Sequence, residues 1–553
     1  MSTEALSIHP SDLPRRAAAA RVAFVGAGPG DLGLMTVRAR DYLAAADVVV
    51  LDSPDLVDEL EPWTRDDVDF VLTSTSSGRG RSDAARVKLL VRAASRYPDA
   101  SHLVVRLLAG DPVADPTLTR EATGCYEAGV PFEIVPGVAT AWSVPAYAGM
   151  PLSGSVGQGG TLHLIDADDT KTDWTRSVAD DVTVVVLGCG QPLQTALGRL
   201  LEAGRDPQTP VALTEHGTTV RQQTSVLSLA DTVEALASGA AACPDASIAV
   251  VGQQVELRSE LSWWESRPLF GWSVLVPRTK EQSGSMTERI AAYGATSSVV
   301  PTISVEPPRT PQQMDRAVRG LVTGRYEWIG FTSVNAVRAI REKFEELGLD
   351  ARAFAGLKLA AVGGVTADAL REWGLEPDLV PEGEQSARGL LEAWPPYDDV
   401  LDPIDRVFLP RADIATETLV AGLQDMGWEV DDVTAYRTVR ASPPPAPVRE
   451  AIKGGAFDAV CFTSASTVRN LVGIAGKPHP NTVVACIGPA TATIAQEHGL
   501  RVDVVADEPN AVALIDALAE FARESAEATR AAGEQVVRPS QRKAATRRSR
   551  SRR

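Results

Sequence analysis

A pattern repeated in the second half of the chain restricts the fold more than any other feature. Residues 326–338 align without gaps on residues 457–469, and both segments contain Phe-Thr-Ser. Residues 362–378 likewise align on residues 487–503. Each copy reads as an apolar strand, a polar turn and the start of a helix. The repeat therefore predicts two similar α/β lobes.

Hydroxyl side chains stand at the predicted helix start of each lobe, Thr332 and Ser333 in one, Thr463 and Ser464 in the other. Free backbone amides and the helix dipole make such a start favourable for a carboxylate. Taken singly, each hydroxyl is equally well explained as a helix cap. Two copies facing one cleft favour carboxylate binding.

Proline-rich segments at 306–311 and 441–447 bracket the middle of this half. They predict one lobe made of residues 271–305 and 448–523, with the other, residues 306–447, inserted into it. Proline-rich connectors are semi-rigid, so the pair is expected to act as a hinge.

The first half opens on a glycine-rich turn. An apolar strand leads into a turn that contains Gly28, Pro29, Gly30 and Gly33. A helical pattern (34–46) and a second strand (48–52) follow. The glycine spacing and Asp52 satisfy the dinucleotide-binding pattern. However, Pro29 lacks the N–H that such a loop offers to a pyrophosphate, which disfavours a nicotinamide site.

Composition bounds the remaining possibilities. A length of 553 residues predicts about two to four domains. Five cysteines without a C-x-x-C pair and six scattered histidines suggest neither a disulfide framework nor a metal site, which fits a cytoplasmic protein. The apolar runs are of strand length, so neither export nor membrane insertion is expected. A net charge of −18 makes nucleic acid an unlikely main partner.

Three segments are expected to lie outside the folded domains: a flexible N-terminus (1–20), a linker (259–270) and a basic disordered tail (524–553). The tryptophans at 263, 264 and 272 either fill the core of one domain or join two. The arginines of 538–553 suit a solvated tail, with a nucleic-acid or polyphosphate contact as the alternative.

The turn Gly-Ala-Gly-Pro-Gly-Asp at 26–31 resembles the opening of tetrapyrrole methylases, specifically uroporphyrinogen-III C-methyltransferases. Segments 104–112, 132–141, 145–152, 215–223 and 249–252 follow in the same order. The resemblance covers residues 21–258 and implies a two-lobed α/β domain that binds S-adenosylmethionine and is able to dimerise. The implied cofactor contacts are Pro29, Ala109, Gly110, Asp111, Ala114, Thr140, Ala141, Leu187 and Gly217. The resemblance also implies an acid–base role for Asp52, with a helix-cap or turn aspartate as the alternative.

Several positions depart from that family. Val113 replaces a phenylalanine, residues 114–117 replace a Gly-Arg-Gly continuation, and residues 71–78 contain no lysine where the family has a catalytic one. Arg79 and Arg81 stay protonated and are poor proton donors near neutral pH. The departures leave open whether this half transfers a methyl group.

Residues 271–523 resemble uroporphyrinogen-III synthases through Phe-Thr-Ser in both lobes, Leu-Pro-Arg-Ala-Asp at 409–413 and the strand at 433–439. The resemblance implies flavodoxin-like lobes that close hydroxymethylbilane to uroporphyrinogen III, inverting the last ring, without a cofactor. It implies a proton-donating role for Tyr436, whose alternative is a packed strand tyrosine. The implied substrate-binding residues are Arg278, Thr332, Ser333, Ser386, Arg411, Thr463, Ser464 and Thr491.

The sequence thus predicts a fused enzyme of tetrapyrrole biosynthesis whose second half makes uroporphyrinogen III and whose first half methylates it toward precorrin-2. One alternative keeps only the synthase, with a non-catalytic methylase domain. A second alternative is a two-lobed ligand sensor attached to a nucleotide-binding domain, which the lack of any helix-turn-helix pattern disfavours.

Overall fold

The computed structural model describes residues 20–74, 81–96, 102–152, 160–244, 246–279 and 283–542. The chain divides into two compact units, one of residues 1–271 with 293–295, the other of residues 272–292 with 296–553. Within the described residues, each unit contains two five-stranded sheets flanked by helices. The α/β class predicted for both halves is confirmed.

The first sheet of the first unit is parallel throughout, in the order β3-β2-β4-β1-β5. Its strands are β1 (Arg21–Gly26), β2 (Val48–Leu51), β3 (Asp69–Leu72), β4 (Leu103–Leu108) and β5 (Phe132–Val135). Its helices are α1 (Val37–Ala45), α2 (Val57–Leu60), α3 (Asp83–Ser95) and α4 (Pro116–Glu127). Helices α1 and α2 pack on one face, α3 and α4 on the other. Burial on both faces explains why β2 and β4 are buried along their whole length.

The second sheet of this unit is mixed, in the order β6-β7-β10-β8-β9. Its strands are β6 (Thr161–Asp166), β7 (Val182–Leu187), β8 (Pro210–Glu215), β9 (Gln223–Ser228) and β10 (Ile248–Val251). The remaining helices of the unit are α5 (Thr140–Tyr147), α6 (Gly190–Glu202), α7 (Leu229–Ser238) and α8 (Arg258–Leu261). Helix α5 packs on one face of the sheet, and α6 and α7 pack on the other.

The stretch 259–270, expected to be a linker, packs within the first unit instead. Leu269 is fully buried and Trp264 is nearly so. The rings of Trp263 and Trp264 lie 5.1 and 4.9 Å from that of Tyr147, and the Arg267 guanidinium lies over both indoles. These aromatic and cation–π contacts fix the segment, so Trp264 fills the core of one unit, whereas Trp263 remains 46% exposed.

In the second unit, one lobe has a fully parallel sheet in the order β12-β11-β18-β19-β20. Its strands are β11 (Ser273–Val276), β12 (Thr296–Val299), β18 (Ala459–Phe462), β19 (Val483–Cys486) and β20 (Val504–Val505). Its helices are α9 (Gly284–Ala292), α15 (Ala446–Gly454), α16 (Ala465–Ala475), α17 (Pro489–Glu497) and α18 (Ala511–Ala531). This order is the flavodoxin-like one.

The other lobe has the order β13-β17-β16-β14-β15, in which only β13 is antiparallel to its neighbour. Its strands are β13 (Ile303–Glu306), β14 (Trp328–Phe331), β15 (Lys358–Ala361), β16 (Arg406–Ala412) and β17 (Glu429–Arg440). Its helices are α10 (Pro311–Val322), α11 (Val334–Leu347), α12 (Gly364–Glu372), α13 (Ala387–Ala393) and α14 (Thr418–Asp425). The repeated segments form β14, the start of α11 and α12 in this lobe, and β18, the start of α16 and α17 in the other, which confirms two similar lobes.

The predicted boundary between the lobes, at 305/306, is wrong by a few residues. Strand β13 bonds to β17, so the inserted lobe begins at Ile303, and the chain crosses between lobes at 300–302 and 441–445. The proline-rich segment 306–311 therefore lies inside the inserted lobe, at the end of β13. Only the segment at 441–447 lies at a crossing.

The expected disordered tail is also wrong over residues 524–542. Helix α18 continues to Ala531, and Pro539 is buried. The Ser540 amide donates to Asp458 Oδ1 at 2.8 Å, and Asp458 Oδ2 accepts from the Ser273 amide at 2.8 Å. The buried carboxylate of Asp458 thus holds residues around Ser540 against the lobe that contains β11 and β18. Residues 1–19, nearly all of the predicted N-terminal segment, and residues 543–553, the end of the predicted tail, lie outside the described residues.

Among the described residues, no helix combines the length and apolar character needed to cross a membrane. The same residues contain no group of three or more metal-ligating side chains.

Candidate functional site

Three turns at the carboxyl ends of β1, β4 and β5 meet in the first unit. The Gly110 amide donates to the Gly28 carbonyl at 2.7 Å, and the Gly28 amide donates to the Gly110 carbonyl at 3.2 Å. Gly137 fits between them: a Cβ there would lie 2.2 Å from the Gly110 carbonyl oxygen and 2.8 Å from Gly26 Cα. Backbone packing this close requires glycine.

Asp111 holds two of these turns together. Its Oδ1 accepts from the Val113 amide at 2.8 Å, and its Oδ2 accepts from the Gly137 amide at 3.2 Å. The Ala114 amide closes the same turn on the Asp111 carbonyl at 3.0 Å. The Asp111 side chain therefore serves the shape of the turns, and their other backbone groups remain for a ligand.

The remaining predicted cofactor residues lie next to these turns. A Cβ on Gly110 would lie 2.8 Å from Thr140 Oγ1. Ala141 and Leu187 belong to one apolar cluster with Val144. Gly217 packs against Val144, and its carbonyl would lie 2.7 Å from a Cβ on Gly30, next to Pro29. These contacts link Gly110, Thr140, Ala141, Leu187 and Gly217, while Pro29, Ala109, Asp111 and Ala114 belong to the turns that carry Gly30 and Gly110.

Strained backbone flanks Gly217. His216 and Thr218 have φ values of 49° and 67°, in the left-handed region that residues other than glycine seldom adopt. Thr218 is buried, its Oγ1 accepts from the Asp31 amide at 3.1 Å, and its amide donates to Gln222 Oε1 at 2.7 Å. Such strain costs about 1–3 kcal/mol per residue and concentrates at ligand sites. The residue types at 216 and 218 do not indicate backbone strain, so the sequence analysis did not select Thr218.

Asp52 follows β2 directly and is held by a buried arginine. Arg106 donates from both terminal nitrogens to the two Asp52 oxygens, each at 3.0 Å, and the Thr73 hydroxyl donates to Asp52 Oδ1. The Asp52 side chain is 56% exposed, whereas Arg106 is 1% exposed. Ser53, not Asp52, caps the helical turn that follows, so the helix-cap interpretation of Asp52 is wrong. The carboxylate is fixed at its base and open to solvent.

Arg106 in turn rests on a fully buried glutamate. Its Nε donates to Glu121 Oε2 at 2.8 Å, and Arg86 donates to Glu121 Oε1 at 2.6 Å. Burial acts to lower the pKa of Arg106, but the hydrogen bond and charge of Glu121 and the charge of Asp52 outweigh it and raise that pKa. Arg106 therefore stays charged under Asp52.

In the second unit, the serines at the two helix starts act as caps. Ser333 Oγ accepts from the Ala336 amide at 3.1 Å, and Ser464 Oγ accepts from the Thr467 amide at 3.2 Å. The neighbouring hydroxyls of Thr332 and Thr463 are half-buried and make no hydrogen bond with the described residues. The capping interpretation thus holds for the serines, and the threonines remain available.

Tyr436 lies on β17 with its hydroxyl at the start of α11. The side chain is 7% exposed and packs in the core of the inserted lobe. Its hydroxyl oxygen lies 2.9 Å from Ser333 Oγ. The structure therefore brings a tyrosine hydroxyl next to the start of α11.

The other predicted substrate-binding residues differ in their surroundings. Arg411 is buried and already paired: it donates to both Asp432 oxygens and, at 2.5 Å, to the Thr416 carbonyl. Arg278 is half-buried without an ion pair among the described residues, and burial lowers its pKa. Ser386 caps α13 through the Gly389 amide at 3.2 Å, and Thr491 is buried in α17. Of the two arginines, only Arg278 is free to bind an anion.

Comparison with known proteins is consistent with this geometry. The family model of tetrapyrrole (corrin/porphyrin) methylases matches residues 21–233, and that of uroporphyrinogen-III synthase HemD matches residues 284–516. The porphyrin biosynthesis protein HemD of Ruminiclostridium josui is 30% identical over 519 residues, which cover 90% of this chain and 98% of that protein. This chain belongs to the HemD family. It carries a methylase domain and a synthase domain of tetrapyrrole biosynthesis in one polypeptide.

Two further comparisons each cover less than half of this chain. Siroheme synthase 2 of Cronobacter sakazakii is 34% identical over 251 residues, 44% of this HemD-family chain and 52% of that protein, so only about half of the relative is represented here. A solved uroporphyrin-III C-methyl transferase from Thermus thermophilus, complexed with S-adenyl homocysteine, is 28% identical with a TM-score of 0.35, covering 43% of this chain and 94% of that one. That score is too low to support any conclusion about this structure.

Proposed function

We propose that the second unit closes hydroxymethylbilane to uroporphyrinogen III with inversion of the last ring, and that the first unit methylates this product with S-adenosylmethionine toward precorrin-2. The observation that carries the proposal is the alignment with a porphyrin biosynthesis protein along 98% of that protein's length. A sensor function has no support once the family is known.

For the synthase, the helix starts of α11 and α16 supply backbone amides to substrate carboxylates, supported by the free hydroxyls of Thr332 and Thr463 and the guanidinium of Arg278. Holding a flexible linear tetrapyrrole in one geometry supplies most of the rate enhancement, because the reactive intermediate then closes in one direction. Tyr436 donates a proton as the bilane hydroxyl leaves, and Ser333 orients its phenol.

Tyr436→Phe is expected to lower kcat several-fold without unfolding the lobe, because the substitution removes only the hydroxyl. Tyr326→Phe is the matched control: Tyr326 is buried in the same lobe and its hydroxyl donates to Asp431 Oδ2 at 2.7 Å, away from the helix start. The measurement is the initial rate of uroporphyrinogen III formation for both variants. A Tyr436→Phe rate equal to that of Tyr326→Phe would remove the catalytic role.

For the methylase, the residues present fit S-adenosylmethionine. Ala141 and Leu187 offer an apolar surface, and the crowded glycine turns leave backbone groups accessible where side chains would intrude. When bound, this cofactor supplies an electrophilic methyl group. Asp52, open to solvent above Arg106, accepts the proton that the tetrapyrrole loses from a neighbouring position when its fully substituted ring carbon gains the methyl group.

Two departures from the methylase family support the synthase-only alternative. Residues 71–78 contain no lysine, and residues 114–117 replace the expected Gly-Arg-Gly. In that alternative the first domain binds the cofactor but transfers no methyl group, and the chain is a synthase only. Dimerisation of the first unit and a cytoplasmic location stay predictions.

The deciding experiment incubates the full chain with hydroxymethylbilane, with and without S-adenosylmethionine, and analyses the isomer and methylation state of the product. Uroporphyrinogen III without cofactor and precorrin-2 with it are expected. Unmethylated uroporphyrinogen III in both reactions would establish the synthase-only alternative. Formation of the symmetric isomer I, the product of spontaneous closure, would refute the synthase function.

A further inference from the structure

A narrow groove runs beside Tyr436 in the inserted lobe. It has a volume of about 290 Å³. One wall is a face of α11 that includes Asn335 and Arg338, and the other is the segment after β13, with Pro308 and Met314. The volume is at the lower end of small-molecule pockets, about 300–1,000 Å³, so it suits one side chain of a tetrapyrrole and not the whole molecule.

The groove reaches Asn335 in the first turn of α11, near the helix start that contacts Tyr436. Ser333 caps α11 and lies 2.9 Å from the Tyr436 hydroxyl. Asn335 and Arg338 follow two and five positions later, three residues apart, so their side chains lie on one face of the helix. An anion bound between them would lie next to the proposed proton donor.

Arg338 is the cation of α11 that no described acidic residue neutralises. Arg341 pairs with Glu345 at 3.3 Å, and Lys343 pairs with Asp315 at 2.8 Å. Arg338 has no ion pair or hydrogen bond with the described residues, although Glu342, four positions on, would be its usual helical partner. Three acidic residues also line the groove: Glu306 pairs with Arg437, Glu346 pairs with Lys343, and Glu342, about 6 Å further along the helix axis than Arg338, has no ion pair with the described residues. Repulsion from Glu342 therefore directs an incoming carboxylate toward the Asn335 side of Arg338.

The internal repeat places a second arginine at the same position. Arg469 stands five positions after the cap Ser464, as Arg338 does after Ser333. Arg469 likewise has no ion pair with the described residues. An unpaired arginine at the same helix position in both lobes is what a polycarboxylate held between repeated helix starts requires.

We propose that Arg338 binds one carboxylate side chain of the linear tetrapyrrole in this groove, with the Asn335 amide as a second donor, and so positions the substrate against Tyr436. The proposal rests on the proposed synthase function. Arg338 is a positioning residue: its guanidinium donates two hydrogen bonds to a carboxylate in a fixed geometry, which a neutral amide does not reproduce.

The test uses the full chain and three variants, Arg338→Gln, Arg338→Lys and Arg341→Gln. The last is the matched control, because it removes one positive charge from the same helix at an exposed position whose partner is Glu345. Two quantities are measured: the dissociation constant for uroporphyrin III, a stable octacarboxylate probe, and the KM and kcat for hydroxymethylbilane. Thermal unfolding of each variant accompanies them.

Arg338→Gln is expected to raise both the dissociation constant and KM by about ten-fold, equivalent to about 1.4 kcal/mol, with a smaller change in kcat. Arg338→Lys should recover part of the loss, and Arg341→Gln should stay within two-fold of the unsubstituted chain, about 0.4 kcal/mol. Arg338→Gln values equal to those of Arg341→Gln would overturn the inference, as would an unsubstituted chain that does not bind the probe. Failure of the unsubstituted chain to form isomer III would instead refute the synthase function.

Discussion

Arg106→Met is expected to destabilise the first unit by about 3–5 kcal/mol and to abolish methyl transfer. The substitution leaves Glu121, which is fully buried, with Arg86 as its remaining cation, and removes the bidentate support of Asp52. A buried carboxylate that loses an ion-pair partner retains its desolvation penalty without the compensating charge. A chain with two units is not expected to unfold in a single transition. The stability of the first unit is therefore measured by hydrogen exchange of the β1 and β4 amides in the full chain.

Two further variants test whether the uncompensated charge of Glu121 causes the loss of stability. Arg96→Met removes an arginine paired with Asp69 at 2.8 Å on the surface of the same unit and should cost less than about 1 kcal/mol. The double variant Arg106→Met with Glu121→Leu removes both buried charges and should regain most of the protection, while methyl transfer stays lost because Asp52 lacks its bidentate arginine partner. If the double variant were no more protected than Arg106→Met, the uncompensated charge of Glu121 would not be the cause.

The sequence predicts the strands and turns around Asp52 but not the buried ion pair of Arg106 and Glu121 that supports it. The strand patterns and glycine spacing located β1, β2, β4 and the turn that holds Pro29. Arg106 gave no such signal: it is one charged residue in an otherwise apolar strand, and its partners are 15 and 54 positions away. Ion pairs between elements depend on how those elements are placed, which local patterns do not record.

Arg278 and Arg411 show the same limit within the second unit. Each follows a proline near the end of a strand, and the resemblance to uroporphyrinogen-III synthases implies that both bind substrate carboxylates. In the sheets, Leu409 aligns with Asp432, whereas Val276, at the matching position, aligns with Val299. Strand register therefore gives Arg411 an internal partner and leaves Arg278 without one. The role of Arg411 in substrate binding stays a prediction, and the structure favours Arg278.

The predictions of the lobe boundary and of a disordered C-terminal segment are wrong for a related reason. Proline-rich sequence at 306–311 suggested a crossing, but backbone pairing of β13 with β17 holds the preceding residues in the inserted lobe. Basic, polar sequence after 523 suggested disorder, but the buried carboxylate of Asp458 fixes Ser540. In both cases a long-range hydrogen bond outweighs local composition.

Gly137→Ala is expected to lower the affinity for S-adenosylmethionine at least ten-fold, about 1.4 kcal/mol, without unfolding the unit. The added methyl group would lie 2.2 Å from the Gly110 carbonyl oxygen and 2.8 Å from Gly26 Cα, so it meets backbone on both sides and no side-chain rotation relieves it. The turns after β1 and β4 must separate, and the bond from the Gly137 amide to Asp111 is lost with them. Isothermal titration calorimetry of the cofactor measures the change.

Gly198→Ala is the matched control for this substitution. Gly198 lies in α6, and a Cβ there meets nothing within 4 Å. Alanine in a helix interior is favoured over glycine by about 0.8–1 kcal/mol, so this variant should be slightly more stable, with unchanged cofactor affinity. Equal affinity in the Gly137→Ala and Gly198→Ala variants would show that the turns meeting at Gly137 do not form the cofactor site. A selective loss in Gly137→Ala would make the close backbone contact of Gly26, Gly110 and Gly137 the feature that shapes it.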